Sequence, residues 1–269
     1  HALYYMYRAE YQFSLGLIQD AYASLKESQK LLEKEKDISV VRNSLKSNML
    51  WISDYYRRIE EYDSAVIYVN KAIVLHTKND PDFAGTYRYL GDIYYKCDRP
   101  DSALLYYTKS LEISNRSFKG LHVAKSAALV GIGNICRDRN DFEKAGALYK
   151  EGLKNLLSHE NVPDINTISP ENLSTILLTI ENMDVLVEQA RLFYKRFQNS
   201  GNRSYLDSCM AMLEKALLIN DISRRELTNV EAKESKTSLQ TQITDMGMEV
   251  SCKAYELTRD NAYFMKAFA

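Results

Sequence analysis

The chain has 269 residues, 45% of them hydrophobic and 26% charged, and its 35 Lys+Arg against 36 Asp+Glu leave a formal net charge of -1. That balance supplies a continuous apolar core and gives no electrostatic support to nucleic-acid binding. Only 4 Pro and 10 Gly occur, too few turn residues for an all-β protein of this length, so the composition leans helical.

Along the chain, one arrangement of small and large residues recurs. It opens faintly with Ala9, Gly16, Ala21, Leu25 and Ser28. It returns as Met49, Ile52, Ser53 and Tyr56, followed by Ala65, Val69 and Ala72. The clearest copy is Tyr87, Leu90, Gly91 and Tyr94, then Ala103, Tyr107 and Ser110. A fourth reads Leu129, Ile132, Gly133 and Cys136, then Ala145, Tyr149 and Gly152. The marker alanines Ala21, Ala65, Ala103 and Ala145 are 44, 38 and 42 residues apart. Two antiparallel helices approach closely only where one offers a small side chain, and a single pair cannot bury its own apolar face, so such pairs must stack.

Punctuation fits helix pairs. Pro100-Asp101 opens the helix that holds Ala103, Asn140-Asp141 opens the one that holds Ala145, and Pro81, Pro163 and Pro170 fall where a loop or a helix start is expected. Ser169-Pro170-Glu171 reads as an N-cap followed by the first helical turn. Beyond it, Leu173, Ile176, Leu177, Ile180, Met183, Leu186, Val187 and Ala190 keep helical spacing over a long helix at 171–199. Ser200-Gly201-Asn202 breaks it. A helix at 205–220 carries Cys209, Leu213 and Ala216, another runs over 224–258, and Arg259-Asp260-Asn261 turns the chain into a last, short segment. The expected division is four regular helix pairs in 1–160 and longer, looser pairs in 161–269.

The order large-x-x-Leu-Gly-x-x-Tyr, then Ala-x-x-x-Tyr, resembles the tetratricopeptide repeat, whose usual period is about 34 residues. The resemblance implies an all-α, right-handed α-solenoid of about six antiparallel helix pairs. It also implies that the first helix of each pair lines a concave groove for a protein or peptide, or for a C-terminal domain of the same protein. In that register the groove-facing positions are Leu50, Asp54, Arg57 and Arg58, then Arg88, Asp92, Tyr95 and Lys96, then Val130, Asn134, Arg137 and Asp138. The family's carboxylate clamp uses a Lys and an Asn four residues later. Asn134 fits the Asn, but Val130 stands where the Lys would be.

The tail has a second likeness. Glu234-Ser235-Lys236, Tyr255-Glu256-Leu257-Thr258-Arg259-Asp260 and Tyr263-Phe264-Met265-Lys266-Ala267-Phe268 are similar to the segment that precedes a CHAT domain, a caspase-like protease, in bacterial proteins. This implies a catalytic His and Cys downstream of Ala269. The alternative is a sensor array for a helix-turn-helix regulator or histidine kinase, which Asp63-Ser64-Ala65 and Asp101-Ser102-Ala103 resemble.

No catalytic, metal or cofactor-binding constellation is read within the chain. G-x-x-x-x-G-K-[ST], H-E-x-x-H and G-x-S-x-G are missing, and Gly131-Ile132-Gly133 belongs to a helical pattern. His76, His122 and His159 read as surface or helix-capping residues. Cys97, Cys136, Cys209 and Cys252 are far apart and read as apolar fillers, which favours a cytoplasmic setting while leaving a periplasmic one open. Tyr56, Tyr94, Tyr107 and Tyr149 are expected between helices, and Tyr55, Tyr95 and Tyr106 outward or toward the groove. No apolar run reaches the roughly 18 residues of a membrane span. The start at His1 without Met leads us to expect a processed or trimmed N-terminus.

Overall fold

The structure, a computed structural model, describes residues 1–77, 80, 82–120, 122–157, 180–226, 230–261 and 263. Among them it is all-α, with eleven helices and no strand. One compact unit, His1–Phe118, holds α1 (Ala2–Ser14), α2 (Ile18–Glu33), α3 (Ile38–Arg58), α4 (Tyr62–Leu75), α5 (Phe83–Lys96) and α6 (Pro100–Ser117). The second, Lys119–Ala269, holds α7 (Val123–Asp138), α8 (Phe142–Leu157), α9 (Ile180–Ser200), α10 (Ser204–Glu226) and α11 (Val230–Thr258). Consecutive helices pair as α1/α2, α3/α4 and α5/α6 in the first unit, and as α7/α8 and α9/α10 in the second. Pairs then stack through α2 on α3 and α4 on α5, and through α8 on α9 and α10 on α11. Pro81, Pro163, the Ser169-Pro170-Glu171 cap, Leu173, Ile176, Leu177, His159 and 264–269 lie outside the described residues.

Each of the first four pairs closes in the same way. Gly16, Glu60, Asp98 and Asn140 adopt φ of 71°, 62°, 57° and 62°. The amide after each bonds back across the turn: Leu17 to the Gln12 carbonyl at 2.8 Å, and Glu61 to Tyr56, Arg99 to Tyr94 and Asp141 to Cys136, all at 2.9 Å. This left-handed residue with a six-to-one bond satisfies carbonyls that the helix end leaves open.

The small positions then meet. Ala21, Ala65, Ala103 and Ala145 are fully buried. A Cβ on Gly91 would lie 2.7 Å from the Tyr107 ring, and one on Gly133 would lie 2.5 Å from the Tyr149 ring. Where Ser53 replaces the glycine, Val69 replaces the tyrosine, and Ser53 Oγ donates to the Ala65 carbonyl at 2.9 Å. In the first pair the same two positions are Ala9 and Leu25. Bulk on one helix is thus matched by its absence on the other, as close packing requires.

The tyrosines stitch neighbouring helices. Tyr22 stacks on Tyr55 at 4.1 Å and shares a 2.9 Å hydrogen bond with Tyr56, which stacks on Tyr68. Tyr106 lies between Tyr94 and Tyr87, stacked on both. Tyr55, expected outward, is therefore buried, and Tyr106 is held within this stack. Of the cysteines, Cys136 and Cys209 are buried as expected, whereas Cys252 is exposed.

The link between α4 and α5 carries a polar network. Lys46 is buried on α3, and its Nζ donates to Asp80 at 2.8 Å. Asp80 also bonds His76 Nδ1 at 2.7 Å, and His76 Nε2 meets Thr86 Oγ1 at 2.8 Å. The imidazole stacks on Phe83 at 4.6 Å. His76 sits at the C-cap of α4 as a buried group, not a surface one. His122 caps α7, its Nδ1 accepting from the Ala124 amide at 3.1 Å.

Candidate partner-binding face

The residues expected to face a groove divide into two groups. On α3, Asp54 is held by its own turn: Arg57 Nε and Nη2 donate to Oδ1 at 2.9 and 2.5 Å, and Arg58 Nε donates to Oδ2 at 2.6 Å. Tyr89 on α5 reaches the same carboxylate at 3.4 Å. Arg58 also lies over the Phe13 ring at 4.9 Å. Burial and the Asp54 charge push the Tyr89 hydroxyl up to about 12. Burial works against the Arg57 charge, but Asp54 outweighs it and raises the guanidinium pKa.

On α5, Asp92 accepts from Arg88 Nη1 at 2.7 Å and from Tyr107 Oη at 2.9 Å. Desolvation raises the Asp92 pKa against the pull of Arg88 and that hydroxyl, and burial and Asp92 in turn push Tyr107 up. Tyr95 is half-buried and Lys96 exposed. Asp54 and Asp92 occupy the same position in successive pairs, one residue after Ser53 and Gly91. Each closes an arginine onto its own helix.

The α7 positions behave otherwise. Asn134 is half-buried, and its oxygen accepts from Tyr149 Oη at 2.6 Å. Val130 is buried, against the expectation of exposure. So is Arg137, whose guanidinium is spent on Glu188 of α9 and on Asp138 at 3.0 Å. The two are covered from different sides: Val130 lies beside Gly152 of α8, the partner helix of its own pair, and Arg137 meets Glu188 of α9. Glu188 also takes Arg191 at 2.5 Å, so the cluster is an internal tie of the second unit.

The sequence missed a cleft of about 280 Å³ between α1 and α3. Leu3, Tyr7 and Glu10 line it from α1, and Asn43, Ser47 and Trp51 from α3. Trp51 is braced from below by Phe13, stacked at 5.9 Å. The available signal was the spacing of 3, 7, 10 and of 43, 47, 51, which puts each trio on one helix face. In the second unit Arg196, also unforeseen, is flanked by Phe142 at 5.9 Å and Tyr205 at 5.5 Å and paired with Glu143. Among the described residues, no group of three or more His, Cys, Asp or Glu could hold a metal, and no helix is long and apolar enough to cross a membrane.

A family model described as tetratricopeptide repeat matches residues 82–158, from the start of α5 to the end of α8. Over this stretch the chain is similar to the tetratricopeptide repeat. Solved structures share the fold over most of the chain. BtubC (BKLC) from P. vanneervenii superposes with a TM-score of 0.64 at 17% identity, over 93% of this chain and 86% of its own. Aspartyl phosphate phosphatase F from Bacillus subtilis gives 0.61 at 14% identity, over 99% and 69%. A putative kinesin light chain from Podosopora anserina with nearly identical TPR-like repeats gives 0.55 at 12% identity, over 84% and 99%. At these identities the likeness is one of fold. No curated protein matches the chain. The tetratricopeptide match covers the two pairs in which glycine faces tyrosine, and the register extends the same geometry to α1–α4.

Proposed function

We propose that this chain is a non-catalytic protein-interaction module that takes a protein or peptide segment on the face presented by α1 and α3. The observation that carries this reading is the α1/α3 cleft. It offers two aromatic side chains, Tyr7 and Trp51, beside the polar Glu10, Asn43 and Ser47. Aromatic groups supply large contact area at low entropic cost, and polar neighbours fix the register of a bound backbone. On this reading Asp54, Arg57, Arg58, Arg88, Asp92, Tyr95 and Lys96 flank the cleft's helix layer as a charged margin, with the arginines pre-oriented by their aspartates. Arg137 has no place in the site, being committed to Glu188.

Trp51 is the sole tryptophan in the chain, so its emission reports directly on the cleft. Peptides selected against the immobilised chain are expected to shift that emission on titration. Ser47→Arg, which fills the cleft from a half-buried position, is expected to abolish the shift. Binding that ignores Ser47→Arg would overturn the reading.

The finer proposal, that the module regulates a CHAT protease-like effector in a larger bacterial protein, rests on the resemblance of residues 234–268. A sensor array remains its rival, on Asp63-Ser64-Ala65 and Asp101-Ser102-Ala103. The native gene beyond the codon for Ala269 decides between them. A His-Gly motif with a later Cys supports the first, and an apolar span before a helix-turn-helix or kinase pattern supports the second.

A further inference from the structure

The outer side of α1 differs from its counterparts in the next two pairs. Positions 4, 8 and 11 of α1 correspond to Asn48, Ile52 and Tyr55 of α3, and to Thr86, Leu90 and Ile93 of α5. In α3 these residues are buried against α2: Asn48 donates to the Leu25 carbonyl at 3.0 Å, and Tyr55 stacks on Tyr22. In α5, Leu90 and Ile93 pack with Ala65 and Val69 of α4. On α1 the same face carries Tyr4 and Tyr11, 62% and 59% exposed, with Arg8 exposed between them and Tyr7 at 68% on the flank. Leu3 and Leu15 extend it at 52% and 49%. On α3 and α5 the neighbouring helix pair removes the equivalent face from water. The α1 face presents an aromatic patch of roughly 400–600 Å², at the upper end for a monomer.

The register shows what geometry covers such a face: a second helix lying along it, as α2 lies on α3 and α4 on α5. The pattern on α1 selects which helix. Tyr4, Tyr7, Arg8 and Tyr11 are spaced three, one and three, which reads the same in both directions. Two α1 helices set antiparallel about a two-fold axis between residues 7 and 8 would bring Tyr4 onto the other copy's Tyr11. They would also bring Arg8 onto the other copy's Tyr7. Aromatic pairs and guanidinium-over-ring contacts are both favourable, and a two-fold interface requires this self-complementarity. A net charge of only -1 on the whole chain leaves little long-range repulsion between copies.

We propose that the occupant of this face is a second copy of the chain, docked α1 to α1. A helix of this length buries about 800–1,000 Å² in total, at the weak end for specific association, so a dimer in the range of tens to hundreds of micromolar is expected. The dimer shares Tyr7 and Leu3 with the cleft but not Tyr4, Arg8 or Tyr11, so substitutions at these last three separate dimerisation from peptide binding.

Sedimentation equilibrium of the whole chain, from about 5 to about 500 µM, tests it across the expected range. A monomer–dimer equilibrium that Tyr11→Glu weakens at least tenfold, and that Arg8→Glu also weakens, is the expected result. Both side chains are exposed, so unchanged helicity and melting temperature are expected for both variants, with Tyr11→Gln as a milder check. A chain that stays monomeric at every concentration overturns the proposal and leaves the face to a different helix. A dimer indifferent to Tyr11→Glu overturns it equally, since association then uses another surface.

Discussion

The Gly91–Tyr107 and Gly133–Tyr149 contacts set the tolerance of single residues. Each ring occupies the space a Cβ would need, so Gly91→Ala is expected to destabilise the first unit by about 1–3 kcal/mol, read as a lower urea midpoint. Gly91→Ser combined with Tyr107→Val copies the Ser53/Val69 solution and is expected to cost less than Gly91→Ser alone, a coupling that a double-mutant cycle measures. His76 gives a pH signature. Burial lowers its pKa, the Asp80 hydrogen bond opposing and the Lys46 charge adding. The folded protein resists its protonation, so the associated stability is complete above the ordinary value of 6.5 and declines as pH falls through the lowered one. Asp80, itself lowered because Lys46, the Asp82 amide and His76 outweigh its burial, loses its contribution only below 3.8, in a separate window. His76→Gln keeps hydrogen bonds but does not titrate, and urea midpoints from pH 8 to 5 are expected to fall less in it than in the native chain. These packing pairs were legible in the residues, because a small residue twelve before a marker alanine has a simple steric meaning. Tyr55 was not, since its burial depends on Tyr22 and Gln19 reaching it from α2.

At the scale of elements, the repeated turn and the ion pairs behave differently. Glu60 holds a left-handed conformation that costs a side chain about 1 kcal/mol. Glu60→Gly is therefore expected to raise stability by about 0.5–1 kcal/mol, visible as a higher melting temperature. Arg137 and Glu188 are nearly enclosed, with side-chain exposures of 10% and 11%. Arg137→Ala strands a buried carboxylate beside Arg191 alone and is expected to cost the second unit about 3 kcal/mol. Arg88→Ala, removing a partly exposed pair within one turn, is expected to cost under about 1 kcal/mol in the same urea titration. The contrast shows where the reading of α7 ran out. Val130 is taken up beside Gly152 of its own partner helix α8, but Arg137 stands in a position that the repeat register leaves open, and nothing in α7 itself announces that α9 will cover it. That information lies fifty residues away, in Glu188.

For the whole molecule, each unit has its own core: Leu25, Ile52, Leu90 and their neighbours in the first, Tyr149, Leu186, Leu213 and theirs in the second. A chain ending at Phe118 is expected to stay helical and to keep Trp51 stacked on Phe13, checked by circular dichroism and by a blue-shifted Trp51 emission. The all-helical, stacked-pair character was legible from composition and from the four marker alanines. The α1/α3 cleft was not, because α1 carries the faintest copy of the pattern, Ala9 and Gly16, which assigns its tyrosines no position.

The four matching turns also partition where the chain can change length. Within a pair, the distance from the small residue to its marker alanine is fixed at twelve: 9 to 21, 53 to 65, 91 to 103 and 133 to 145. Between pairs the same markers are 44, 38 and 42 apart. A residue inserted inside a hairpin would rotate its second helix by about 100° and carry Tyr107 or Tyr149 off its glycine. One inserted between hairpins only lengthens a link. Insertions and deletions should therefore be found almost entirely in the connectors, with the hairpin passed on whole as the indivisible piece from which arrays of different lengths are assembled.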